Sequence, residues 1–251
     1  MCFWSNESLY IIISIMKNEM LFEWNKDTAR WDQNANTYTR FFDKIGAMIG
    51  EKVNGFDTLA DFGCGIGLID LILSSYVTTL TGVDVSKFAL AQLEENAKKA
   101  GLTNIHTILC DVDEVKKSFD VIITSFFGSR DIPRFLPQCK IFFAIIGYAS
   151  EEALFPPKAG KNKRNTVGDA IKQLKESGIN FKLTEASLPF GQPFESVVDA
   201  ENFVGAYCPE LGPSQIKNFL TERLRETDNL RFPLYIPRTK RIGIFEIRGG
   251  L

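Results

Sequence analysis

Three glycines and three carboxylates carry most of the chemistry legible in this sequence. Asp61-Phe62-Gly63-Cys64-Gly65-Ile66-Gly67 sets a glycine at every second position, directly after a short apolar run. Glycine has no Cβ to obstruct a ligand pressed against the backbone, and amides at the start of a following helix favour carboxylate or ribose oxygens. Outside a strand-turn-helix setting such a cluster is merely a turn, so two further acids matter. Asp84 closes a second β-rich run, Gly82-Val83-Asp84-Val85-Ser86, where its carboxylate can accept hydrogen bonds from vicinal ribose hydroxyls. Asp111 follows a third run and would face the adenine side of the same crevice. A capping or turn role is the plainer alternative for both.

The elements that must position these residues follow from periodicity. Residues 24–50 read as a leading helical segment, with Trp31, Tyr38, Phe41, Phe42 and Ile45 forming apolar faces. Asp57 to Phe62 reads as a buried strand, and the glycines turn it into a helix carrying Leu68, Ile69, Leu71, Ile72 and Leu73. Val77 to Val83 is the second strand, followed by a helix with Ser86 as N-cap and Gly101 at its end. Strands at Ile105 to Leu109, Phe119 to Thr124 and Ile141 to Tyr148 come next; the unbroken Val-Ile-Ile of the fourth fits burial on both faces. Thr166 to Ser177 reads as a helix, with Phe181 to Ala186 and Arg241 to Ile247 as the last strands. A helical insertion occupies about residues 190–230. The alternation predicts an α/β fold with a Rossmann-like, mostly parallel seven-stranded sheet, helices on both faces and an antiparallel last strand. Residues 1–23 read as an extension and 24–251 as one domain.

Composition narrows the function classes. The 251 residues are 45% hydrophobic and 24% charged, an ordinary globular balance. Lys and Arg total 29 against 31 Asp and Glu, so no global field draws the chain to nucleic acid or an anionic membrane. Cys2, Cys64, Cys110, Cys139 and Cys208 form no C-x-x-C pair, which suggests neither a zinc ribbon nor a disulfide framework and fits a reducing cytoplasm. No metal is expected. The apolar run Leu9 to Met16 is shorter than the roughly 20 residues of a membrane-spanning helix and lacks the flanks of a cleaved signal; no membrane partner is implied, and Met16 and Met20 are alternative starts. Oligomeric state is not legible.

The glycine turn and its acids resemble the class I S-adenosylmethionine-dependent methyltransferase superfamily, in particular its small-molecule members. The family's acidic residue and G-x-G-x-G loop match Asp61 through Gly67, its acidic ribose ligand matches Asp84, and its adenine-adjacent acid matches Asp111. The motif after its fourth strand aligns with Phe119-Asp120-Val121-Ile122-Ile123-Thr124-Ser125. The resemblance implies S-adenosyl-L-methionine as cofactor, with Asp61 near its amino group and Gly63, Cys64, Gly65, Gly67, Val85, Val112 and Thr124 also lining its site. It extends to Trp31-Asp32-Gln33-Asn34-Ala35-Asn36-Thr37-Tyr38, where Trp31 or Tyr38 would close over the cofactor or anchor the core. A nicotinamide dehydrogenase pairs a glycine turn with a ribose acid too, but its G-x-G-x-x-G spacing requires glycine where Leu68 stands.

The acceptor is less constrained. An activated methyl group needs alignment and water exclusion more than a metal. His106, the sole histidine, falls on a strand and is a weak base candidate. The Asn/Asp-Pro-Pro-Tyr/Phe motif of many amino-methylating relatives is replaced by Thr124-Ser125-Phe126-Phe127, which favours a small-molecule acceptor. Phe126, Phe127, Arg130 and Tyr148 are the substrate-contact candidates; they also read as hydrophobic anchors and a solvated ion pair with Asp131. Lys158, Lys161, Lys163 and Arg164 admit an RNA substrate, against the plainer reading of a solvated loop. A catalytically silent, partner-binding protein on the same fold is the third alternative. The segment from Glu195 to Arg225 is expected to cover the substrate.

Overall fold

Apolar residues recurring every third or fourth position fold the leading segment into two helices. Asn25 caps α1 (Lys26–Thr39), accepting the N–H groups of Asp27 and Thr28 at 3.0 Å. Arg40, in the left-handed region at φ 56°, separates it from α2 (Phe41–Val53), and Asn36 holds this corner by accepting the Phe42 N–H at 2.8 Å. α2 buries Phe41, Ile45, Ile49 and Val53, four residues apart on one face. The computed structural model describes residues 22–128, 131–149, 154–155 and 165–251.

The strands are β1 (Thr58–Phe62), β2 (Thr79–Asp84), β3 (Ile105–Leu109), β4 (Phe119–Ser125), β5 (Cys139–Gly147), β6 (Phe181–Pro189), β7 (Gln192–Phe194), β8 (Arg225–Glu226), β9 (Leu234–Ile236) and β10 (Thr239–Arg248). Seven form one sheet in the order β3-β2-β1-β4-β5-β10-β6; β10 runs antiparallel to both neighbours, and the pairs from β3 to β5 are parallel. This is the expected architecture. Central β1, β2 and β4 are buried nearly throughout, whereas edge strands β3 and β6 are largely exposed or half-buried. On one face α2 and α3 (Asp70–Leu73) pack against Leu59, Leu80, Ile123, Phe143 and Ile244; on the other, α5 (Val167–Glu176) packs against Phe142, Phe245 and Ile247. α4 (Lys87–Lys99), capped by Ser86, lies along β2 and β3.

Two local expectations change. The helix after the glycines is a single turn, α3, because Ser74 and Ser75 bond back to the carbonyls of Leu71 and Ile72 at 3.2 and 2.8 Å and compete with helical continuation. The insertion is not purely helical. It holds α6 (Val197–Tyr207) and α7 (Pro213–Arg223) together with a second sheet, β7-β9-β8, around a core of Trp31, Phe194, Phe203, Val204, Leu220 and Ile236. Among the described residues, no helix is long and apolar enough to cross a membrane.

Candidate active site

The glycine turn leaves β1 at the carboxyl end of the sheet. Gly63, Gly65 and Gly67 all have positive φ, at 76°, 54° and 70°. A Cβ on Gly65 would stand 2.6 Å from the Trp24 ring, and one on Gly67 would stand 2.1 Å from Leu93, so both conformation and space require glycine there. Asp84, at the end of β2, accepts the Gly65 N–H at 2.9 Å through Oδ2 and the Ser86 N–H at 2.8 Å through Oδ1. Each oxygen keeps one lone pair for a further donor. Asp84 thus ties the turn to the start of α4.

Beneath the turn lie two buried carboxyls, Asp61 from β1 and Asp70 from α3, each at most 1% exposed. Among the described residues, neither finds a hydrogen-bond partner outside this pair. Burial, and then the neighbouring Asp70 and Asp84, push Asp61 well above the ordinary carboxylate range. Burial pushes Asp70 up to about 7. Two adjacent buried carboxyls do not both ionise readily, so the pair retains a proton. Burial likewise raises the Cys64 thiol, reinforced by Asp70, Asp61 and Asp84. Such an orphaned acidic pair below a Cβ-free turn is chemically matched to a ligand with a cationic amino group.

A second space opens where α1 meets the insertion. This cavity of about 160 Å³ is lined by Trp31, Asp32 and Ala35 of α1, Leu154 and Phe155, Phe190 to Gln192, Phe203 and Tyr207 of α6, and Arg238. Asp199 fixes its frame, accepting the Trp31 indole N–H at 2.9 Å and an Arg30 guanidinium N–H at 2.7 Å. Burial opposes ionisation of Asp199, but these bonds outweigh it and hold the carboxyl below its ordinary range. Stacked rings link the cavity to β4: Phe190 lies 4.1 Å from Phe41, and Phe41 lies 5.9 Å from Phe126, which follows β4 at φ 53°. Lys240 places Nζ 3.3 Å from the Phe126 ring centroid. A wider hollow of about 320 Å³, bordered by Pro189, Arg223, Tyr235 and Pro237, shares Arg238; neither space is lined by the turn or its carboxyls.

A family model described as a methyltransferase domain matches residues 57–204, spanning the glycine turn, both buried carboxyls and most of α6. The chain belongs to this methyltransferase-domain family. Its seven-stranded sheet is the class I methyltransferase fold. The chain is similar to an uncharacterized RNA methyltransferase of Chlamydia pneumoniae, 30% identical over 137 residues, 51% of this chain and 33% of the relative. It therefore spans about a third of that relative's length. Among solved structures, magnesium protoporphyrin IX methyltransferase of Synechocystis aligns at 12% identity with a TM-score of 0.50, covering 91% of this chain and 86% of that one. A precorrin 8w decarboxylase of Methanobacterium thermoautotrophicum aligns at 17% identity and the same TM-score, covering 80% and 88%. At these identities the structures speak for the fold.

The methyltransferase brings Asp61, Gly63, Cys64, Gly65, Gly67 and Asp84 together at the turn. Val85 is 49% exposed just past β2, Thr124 is buried near the end of β4, and Val112 is buried in the core. Asp111 accepts the Asp113 N–H at 3.0 Å and caps a 3-10 turn, the plainer of its two readings. The two aromatic candidates on α1 do not close the turn. Trp31 anchors α6, and Tyr38 stacks on Tyr235 and edges Phe232 of the insertion, because the 3.6-residue period turns both toward that layer. Trp24, just before α1, lies over Gly65 instead.

Phe126 and Phe127 part company. Phe126 faces the Phe41 and Phe190 side, while Phe127 lies against Gly63 and edges Phe135. Tyr148 hydrogen-bonds with Glu185 of β6, under the Arg241 guanidinium, and so is drawn to the far side of the sheet. His106 is exposed in the middle of edge strand β3, away from the carboxyl ends. Arg130 and the cluster from Lys158 to Arg164 lie outside the described residues, as does the run from Leu9 to Met16. Sequence reasoning missed Asp32, Asp70, Trp24 and Arg238. For Asp70 a signal existed: an acid interrupting the apolar run Leu68 to Leu73.

Proposed function

We propose that this methyltransferase acts on a small-molecule acceptor, and the observation that carries this reading is the ring-lined cavity between α1 and the insertion. A cleft that sets a few polar groups, Asp32, Gln192 and Arg238, among rings suits a small ligand, whereas a polynucleotide needs an open basic groove with stacking platforms. The donor supplies a methyl group already activated on a sulfonium. The protein's own tasks are then to bind, orient and exclude water. In this reading Asp84 receives the ribose hydroxyls while holding the turn, Asp61 and Asp70 receive the amino group, and the positive φ values of Gly63, Gly65 and Gly67 aim the backbone of the turn at the donor. Trp24 covers it from above Gly65.

A second reading, RNA as acceptor, draws support from the name of the Chlamydia relative and from the sequence of residues 158–164. A transfer assay with methyl-labelled S-adenosylmethionine against separated metabolite, RNA and protein fractions decides between them. Label is expected in the metabolite fraction. Label confined to RNA, and lost when Lys161, Lys163 and Arg164 are neutralised, would establish the second reading.

A further inference from the structure

The cavity described above contains one acid whose setting suits it to more than packing. Asp32 lies on the cavity wall, half-buried, and accepts no hydrogen bond from another described residue. Its neighbours on α1 are committed elsewhere: Trp31 and Arg30 to Asp199, and Gln33 to Asn96 at 3.2 Å. The charged and titratable groups facing it are Arg238 and Lys240, from the segment entering β10 and from β10 itself, and the Tyr207 hydroxyl from α6. The remaining walls combine rings, Phe155 stacked on Tyr207 at 4.6 Å and Trp31 edging Phe203 at 5.1 Å, with Ala35, Leu154, Gly191 and Gln192. A cavity of about 150 Å³ accommodates a single benzene ring, so this one, at about 160 Å³ and open to solvent, has room for one ring within its walls.

Its place in the fold matches the chemistry. The chain of rings from Phe190 through Phe41 to Phe126 links one side of the cavity to the end of β4. On the other side Tyr207 stacks on Phe22 at 6.2 Å, Phe22 edges Trp24 at 4.8 Å, and Trp24 covers Gly65. These rings connect the cavity wall to the end of β4 on one side and to the glycine turn on the other.

We propose that this cavity is the acceptor subsite and that Asp32 takes the proton released when a single-ring acceptor is methylated on an O–H or N–H group. The inference rests on the small-molecule reading above. As the bond from methyl carbon to sulfur breaks, its electron pair returns to sulfur. The acceptor's oxygen or nitrogen supplies the pair for the new bond, and its proton passes to the Asp32 carboxylate. Burial raises this carboxyl, Lys240 and then Arg238 pull it back, and it comes to rest at about 6. That range suits a base working near neutrality. Tyr207 cannot substitute, because burial, with Asp32 beside it, pushes its hydroxyl further up.

The test uses the full chain, methyl-labelled S-adenosylmethionine and two probe sets: monocyclic phenols and azoles, and their bicyclic counterparts naphthol and indole. Transfer is expected to the monocyclic set only. Asp32→Asn should lower kcat/KM by about 100-fold or more while donor affinity by calorimetry stays within about twofold. Wild-type kcat/KM should rise as pH passes through about 6; Asp32→Asn should lose that rise and Asp32→Glu should keep it. Equal transfer to bicyclic probes, or an unchanged pH profile in Asp32→Asn, would overturn this subsite and leave small-molecule methylation standing. Transfer to RNA alone, indifferent to Asp32, would overturn both. Should Asp32→Asn fold poorly, Arg238→Gln provides a second handle: Asp32 loses a cation, so the pH rise should move upward, and a profile that stays in place would overturn the assignment.

Discussion

The glycine turn and the aromatic cavity adjoin at the carboxyl ends of the sheet, yet they are stiffened by different means. The turn is held by backbone geometry and short polar links, with three positive φ values and two N–H bonds into Asp84. The cavity is held by ring packing and by Asp199 gripping Arg30 and Trp31. The turn leaves no room for a side-chain atom, so its tolerance for change is nearly nil. Ring walls can shift and repack, which lets one half of the crevice remain fixed while the other is recut for different acceptors.

The largest expected effect belongs to the turn. Gly65→Val places a branched side chain at φ 54° and against Trp24, with strain of about 1–3 kcal/mol before any ligand clash. Donor binding by the folded variant should fall below detection in calorimetry. Affinity within tenfold of wild type would mean that the turn is not the cradle and would erase the contrast.

Next is Asp199→Ala, which strips a buried partner from the Trp31 indole and the Arg30 guanidinium. A loss of about 1–3 kcal/mol in denaturant unfolding is expected, with acceptor turnover reduced and donor affinity nearly unchanged. An equal loss of donor affinity would show that the two halves are one mechanical unit.

The acidic pair gives a smaller effect of defined sign. Because Asp70 titrates higher in the folded chain than when unfolded, the folded state holds the extra proton, and its contribution to stability declines as pH rises from about 4 through about 7. The ligand-free protein should lose thermal stability across that window relative to Asp70→Asn. Saturating S-adenosylmethionine should flatten the slope, and donor affinity should rise with pH as the pair gives up its proton to make way for an ammonium group. A ligand-free melting curve with no pH slope would remove the shared proton. Smallest of all, His106→Gln should alter kcat/KM by less than about twofold, since a ring exposed on β3 reaches neither half.

The turn was legible because its determinants are local. Asp61, the three glycines and Asp84 fall at or just beyond the ends of two short buried strands that follow one another in the chain and pair side by side, so sequence order and spatial order coincide. The cavity was not legible because its walls come from residues near positions 31, 155, 190, 207 and 238, whose convergence depends on packing between layers. Asp32 resembles any polar residue on an amphipathic helix until Arg238 is placed near it. Trp31 and Tyr38 read equally as a cover for the cofactor and as core anchors, because periodicity alone does not say which layer they face. Nor does it foretell α3, where two serine hydroxyls cut the helix to one turn.

The bond from Trp31 to Asp199 joins residues 168 positions apart. A ribosome adding about 5–20 residues per second delivers the second partner roughly ten to thirty seconds after the first. Throughout that interval the face of α1 that carries Trp31 has no insertion to dock against, and its indole has no carboxylate to receive its N–H. Although synthesised early, α1 is therefore among the last elements to be locked. A nascent chain stalled before α6 should expose Trp31 to quenchers and proteases, and one extended through β10 should not.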